Sequence, residues 1–225
     1  MDSMIYILFI CIMIPLLLML PLIKGEARFI MIFMMTGILC CLFVAEVNGY
    51  ARTVLDKDIF YITTNITPVT EELVKAIPVI YFAFVVDDDR EKLISLAFAV
   101  GVGFAVLENM VILTQNIENV SIFWALVRGF ASGLMHGICT ALVGYGVSFV
   151  RKRKKLFYTG TYSLFAMAVT YHSLFNTLVQ SEEYKYWGFV LPFVTYAIFV
   201  MAQMPKVRAL LDPTQKKPKV EVKEG

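Results

Sequence analysis

Seven stretches of this chain are apolar over lengths that match a lipid bilayer, and nothing else restricts its fold as severely. They run over roughly 4–23, 28–47, 67–86, 93–114, 121–150, 157–180 and 187–204. A membrane-spanning helix needs about 20 mostly apolar residues. In hydrocarbon the backbone must satisfy its own hydrogen bonds, which leaves helices or a closed barrel. No segment shows the period-2 alternation of a barrel strand, so the expected fold is all-α: a polytopic membrane bundle of about seven transmembrane helices. Composition agrees, because 17% charged against 59% apolar residues is too little charge to coat a soluble globule of 225 residues. The first segment lacks a basic n-region, Asp2 being its only early charge, and has no small-x-small cleavage site before Lys24. A retained anchor is expected there rather than a signal peptide.

Basic residues are divided unevenly between the connections. Lys24, Arg28, Arg90, Lys92, the run Arg151-Lys152-Arg153-Lys154-Lys155 and six Lys or Arg residues beyond Pro205 fall on one side, against Arg52, Lys57 and Lys185 on the other. The positive-inside rule then predicts a multi-pass protein of the cell membrane, with its N-terminus outside and its C-terminus cytoplasmic. Residues 205–225 read as a solvated basic tail able to touch anionic lipid. The bilayer is the implied partner, and no nucleic-acid partner is expected. Cys11, Cys40, Cys41 and Cys139 all lie in apolar spans without a CxxC pair, as packing residues would. Gly101-Val102-Gly103-Phe104 falls in mid-helix, where two small residues favour close helix packing over nucleotide binding.

Polar residues interrupt these stretches in four places: Glu71, Glu72 and Lys75; Glu108 and Asn109; Arg128 and His136; His172 and Asn176. Both histidines of the protein are in this set. An ionisable group in a membrane is costly, so by default it faces the bundle interior and has a function there. With the predicted topology, all four places fall in the outer half of the membrane. Glu71 and Glu72 lie about one turn inside the third span, and Glu108 about 9 Å before the outer end of the fourth near Thr114. Glu71 and Lys75 are spaced i,i+4, as are His172 and Asn176, and Arg128, Ser132, His136 and Thr140 form one i+4 stripe. Interhelical hydrogen bonding would explain any one of these residues. It gives no reason for all of them to share a depth.

Two chemistries suit two histidines and three glutamates in a membrane cavity. Two imidazoles and a carboxylate make a three-ligand zinc site with a position open for water, which a further carboxylate can deprotonate. Alternatively a glutamate activates water directly, while His and Asn stabilise an oxyanion. Both schemes hydrolyse an acyl bond. No HExxH is present, so the donors would come from separate helices.

The ordered motifs Pro68-Val-Thr-Glu71-Glu72-Leu-Val-Lys75, Gly103-Phe104-Ala-Val-Leu-Glu108-Asn109, Arg128 followed by His136, and His172-Ser-Leu-Phe-Asn176 resemble the PrsW family of intramembrane proteases. That family is distantly similar to the CAAX prenyl endopeptidases and the Abi immunity proteins. The CAAX group has Phe-x-x-x-His where this chain has Phe104-x-x-x-Glu108, which favours the PrsW side. The resemblance implies an intramembrane endopeptidase with Glu71 or Glu72 as general base, and Glu108, His136 and His172 as the water-holding or zinc-binding set. Asn176 is then an oxyanion donor or a support, and Lys75, Asn109 and Arg128 are supporting residues. The implied substrate is a membrane-anchored, anti-sigma-factor-like protein cut near the extracytoplasmic side. The implied organisation is two N-terminal helices and an external loop (1–66), a catalytic core (67–181), a last transmembrane helix (182–204) and the tail (205–225). Two other classes compete: an ion- or proton-coupled transporter, for which no inverted repeat is visible, and a non-catalytic immunity or binding protein.

Overall fold

The apolar segments become helices, and among the described residues there is no strand. A computed structural model describes residues 3–149 and 154–203; the basic run 151–153 and the tail 205–225 lie outside them. The helices are α1 (Ser3–Met19), α2 (Gly25–Leu55), the single turn α3 (Ile59–Tyr61), α4 (Thr67–Val85), α5 (Arg90–Gln115), α6 (Ile122–Val147), α7 (Lys154–Gln180) and α8 (Lys185–Gln203). Seven of these are long, one for each apolar segment. Helices α2, α5 and α6 are each long and apolar enough to cross a membrane, and α1 is apolar but shorter. Their ends carry local signals. Asp89 and Ser121 cap α5 and α6 by accepting from the backbone of Lys92 and Trp124, and Asp56 ends α2 in the left-handed region at φ 48°.

One stretch departs from the sequence expectation. The residues before α4, read as an external loop, are helical: α3 leads into a π-helical turn at Ile62–Ile66 that runs directly into α4. Asp58 accepts from the Tyr61 backbone at 2.6 Å, and the Thr63 and Thr64 hydroxyls bond back to the carbonyls of Ile59 and Phe60. Local side chains thus satisfy backbone groups that a loop would leave to water.

Helix α5 lies at the centre, packed between α2 and α6. Helix α4 wedges against α2, α6 and α7, α8 covers α6 and α7, and α1 rests on α2 and α5. Close packing around α5 depends on glycine as expected. A methyl group on Gly101 would overlap the main-chain carbonyl of His136 on α6, and one on Gly103 would overlap that of Met34 on α2. Backbone therefore touches backbone on both faces of α5, one turn from the polar residues of the core. Cys40, Cys41 and Cys139 are buried and free, as packing residues; Cys11 is free on the outer face of α1.

Candidate metal centre

The polar residues that the sequence scattered over four helices meet in one buried cluster. Helix α4 supplies its core. Glu71, Glu72 and Lys75 are all buried, and Lys75 turns back to Glu72, with Nζ 2.6 Å from Oε1 and 3.9 Å from Glu71 Oε2. The i,i+3 neighbour therefore takes the ammonium, and Glu71 is rotated about 100° away from it around the helix. The ammonium of Lys75 also lies over Phe104, whose ring centre is 4.6 Å from Nζ.

Each histidine is held by its own carboxyl group. His172 Nδ1 lies 2.9 Å from Glu72 Oε1, and His136 Nε2 lies 3.1 Å from Glu108 Oε2. Glu72 accepts from His172, which leaves His172 Nε2 as the bare nitrogen. Glu108 accepts from His136, which leaves His136 Nδ1 bare and facing Lys75 Nζ at 2.9 Å. These tautomers follow from the partners, since an ammonium can only donate. The two rings stand edge to face with centroids 4.8 Å apart.

Glu71 sits between them. Its Oε2 is 3.8 Å from His136 Nδ1 and 3.7 Å from His172 Nε2. Both Glu71 Oε2 and His172 Nε2 are buried without a hydrogen bond. Buried polar atoms are nearly always bonded, so two orphaned lone-pair donors facing each other need a partner. One donor atom each from Glu71, His136 and His172 lies within 4.8 Å of the others, a spacing that suits one ion. One carboxylate and two neutral imidazoles are also a donor set that zinc favours. The cluster carries three carboxyl groups against the two cations Lys75 and Arg128, so added positive charge is accommodated. The chain's own residues fit a metal.

The i+4 stripe on α6 converges on Glu108. Arg128 Nη2 lies 3.7 Å from Glu108 Oε2, and Ser132 Oγ donates to the same oxygen at 3.2 Å, beside His136. Thr140, the last of the stripe, instead bonds back to the His136 carbonyl at 2.9 Å. Glu108 is the accessible member: its side chain is 24% exposed, against 4% for Glu71 and 0% for Glu72. A cavity of about 100 Å³ opens onto Glu108 and Glu71, lined also by Ile5, Cys41, Asn48 and Phe104.

The remaining expected residues lie nearby. Asn176 donates its Nδ2 to the carbonyl of Thr63 at 2.9 Å, tying α7 to the π-turn that leads into α4. Asn109 is buried, and its Oδ1 makes no hydrogen bond. No role was expected for Phe104, which lies against both Lys75 and His136, or for the Thr63 carbonyl. It also passed over Glu46, a carboxylate in the second apolar segment that accepts a hydrogen bond from the Tyr6 hydroxyl of α1. The criterion that singled out Glu108 would have found it.

Residues 25–204 match the family model described as PrsW family intramembrane metalloprotease. No curated protein and no solved structure matches the chain.

Proposed function

Because the chain belongs to the PrsW family of intramembrane metalloproteases, we propose that it hydrolyses a peptide bond of a membrane-anchored protein at the Glu71–His136–His172 centre. The observation that carries this reading is the convergence of the orphaned Glu71 Oε2 and His172 Nε2 with His136 Nδ1 in a buried pocket. These three atoms would hold the metal, and zinc is the ion that suits them. A bound zinc ion supplies Lewis acidity, polarising a carbonyl and lowering the pKa of water.

The other residues divide the remaining work. Glu72 fixes the ring and tautomer of His172, and Glu108 does the same for His136. Glu108 also opens to the cavity, so it is the carboxylate that takes a proton from water and returns it to the leaving amine. This exchanges the roles expected from the sequence, making Glu71 the third ligand and Glu108 the general base. Lys75 faces the same His136 nitrogen as the metal would, so it competes with the ion for that lone pair and screens the carboxylates around it. Arg128 and Ser132 steady Glu108 from the side.

Metal analysis of the purified protein tests the centre. About one zinc per chain is expected, as one three-ligand site provides. His136→Ala, His172→Ala and Glu71→Gln should each lose it, whereas retention in all three would remove the centre. The substrate class is a single-span protein of the anti-sigma-factor kind, cut on the outer side of the membrane. That side follows from the basic loops and is checked by reporter fusions. Fusions after Lys155 and at the C-terminus should report cytoplasm, and one within 115–120 should report the outside. The reverse pattern would move the site to the inner leaflet.

A further inference from the structure

The site needs an entrance for a polypeptide, and α1 stands at a cavity that reaches it. That cavity is lined by Glu71 and Glu108, by Cys41, Val44, Ala45 and Asn48 of α2, and by Phe104, Val111 and Ile112 of α5; its remaining wall is Ile5 of α1. The larger described grooves end on apolar surface or on the opposite end of the bundle, and none includes a residue of the metal centre. Widening this cavity toward the cluster on its α1 side means moving the first turns of α1.

Helix α1 is suited to such movement. Ile5 is its only buried residue, and Tyr6, Ile7, Ile10, Ile14, Leu17 and Leu18 are exposed on its outer face. Its contacts with α2 and α5 are apolar, through Leu8, Phe9, Ile12, Met13 and Leu16. Between apolar surfaces in lipid there is no water-driven force, so such a contact is held by packing alone and exchanges readily for another apolar helix. Pro15 removes one backbone hydrogen bond from the helix, below the turn that would swing. One polar contact is described that fastens the upper end: Tyr6 donates to Glu46, two residues before Asn48 in the outer α2 segment that lines the cavity. The residues matched by the family model begin at 25, so α1 lies outside the matched stretch.

We propose that the N-terminal end of α1 is a lateral gate, latched by Tyr6 and Glu46, and that it occupies the seat of the incoming substrate segment between α2 and α5. The partner that fits this seat is the apolar helix of a single-span membrane protein. Displacing Ile5 and Tyr6 exposes Glu108 and Glu71 to the extended chain at the end of that helix. This inference rests on the proteolytic reading for the identity of the partner, and on the cavity alone for the position of the gate.

Two measurements on the full chain in lipid nanodiscs test it. The first reads the gate without hydrolysis. Spin labels are placed at Ile7→Cys and Phe123→Cys after replacing the four native cysteines by alanine. Tyr6→Phe and Glu46→Gln should each broaden and lengthen the label distance distribution, with no further change when combined. An unchanged distribution overturns the gate. The second reads passage. In a chain carrying Ile5→Cys with native Cys41 and no other cysteine, a short bifunctional methanethiosulfonate should stop cleavage of a single-span model substrate. A reductant should restore it, with zinc content constant throughout. A locked enzyme that cleaves at the unlocked rate also overturns the proposal. If the uncross-linked parent cleaves no membrane substrate, the proteolytic reading fails instead, and the label distances alone decide the gate.

Discussion

Both histidines of the centre are held by a carboxyl group, but on one side the pair is sealed and on the other it is open. Glu72 and His172 meet between α4 and α7 with almost no exposed surface, and Lys75 closes the pair from the same helix. Glu108 and His136 meet between α5 and α6 in the same fashion, yet Glu108 keeps part of its surface toward a cavity. A sealed carboxylate can orient an imidazole but meets no water to deprotonate. An open one can do both. In the proposed reaction similar pairs therefore carry unequal duties, and the difference comes from which helices surround them rather than from the residues themselves.

The strongest way to break that comparison is Glu108→Gln. A lost general base should lower kcat about 10²–10⁴-fold, with zinc still bound at the parent stoichiometry. Equal loss of metal and activity would make Glu108 a ligand instead. Glu72→Gln should give a smaller loss of about 10–100-fold, appearing as weakened zinc affinity in competition titrations, because it acts only by holding His172. It should also lower thermal stability, since Lys75 then loses the anionic partner of a buried pair, a change that costs about 3–5 kcal/mol. If Glu72→Gln instead matched Glu108→Gln in kcat at full zinc occupancy, the sealed side would be doing the chemistry. The smallest change is Ser132→Ala. It removes one hydrogen bond to Glu108, worth about 1 kcal/mol, so a several-fold drop in kcat is expected, with KM and zinc content unchanged.

The sequence carried the helices and the membership of the buried polar cluster, and much less of its wiring. Hydropathy located the seven long helices because lipid leaves little freedom in how a backbone crosses it. Relations within one helix were also legible. The pairing of Lys75 with a glutamate, and the facing of Arg128, Ser132 and His136 to one side, follow from 3.6 residues per turn. Which carboxylate meets which histidine depends on how α4, α5, α6 and α7 are rotated about their axes, and no spacing encodes that. Glu108 was expected beside both imidazoles as a ligand; it bonds to His136, while Glu71 lies near both rings. Asn176 was expected as an oxyanion donor or a support, and its amide reaches the π-turn because that turn presents the Thr63 carbonyl. A π-turn is a local widening with no strong composition of its own, which is why Ile62–Ile66 passed for loop.

The glycines of α5 join two matters that soluble enzymes keep apart. In a water-soluble protein a large apolar core secures the fold, and a site on its surface can be altered with the core untouched. Here the helices gain nothing from leaving water when they associate, so backbone contact at Gly101 and Gly103 is a principal source of cohesion. The carbonyl that Gly101 accommodates belongs to His136 itself. The seam that holds the molecule together thus passes through a residue of the proposed metal centre. Loosening α5 at Gly101 would also shift the backbone of that residue, and that coupling leaves this helix less latitude than its plain apolar sequence suggests.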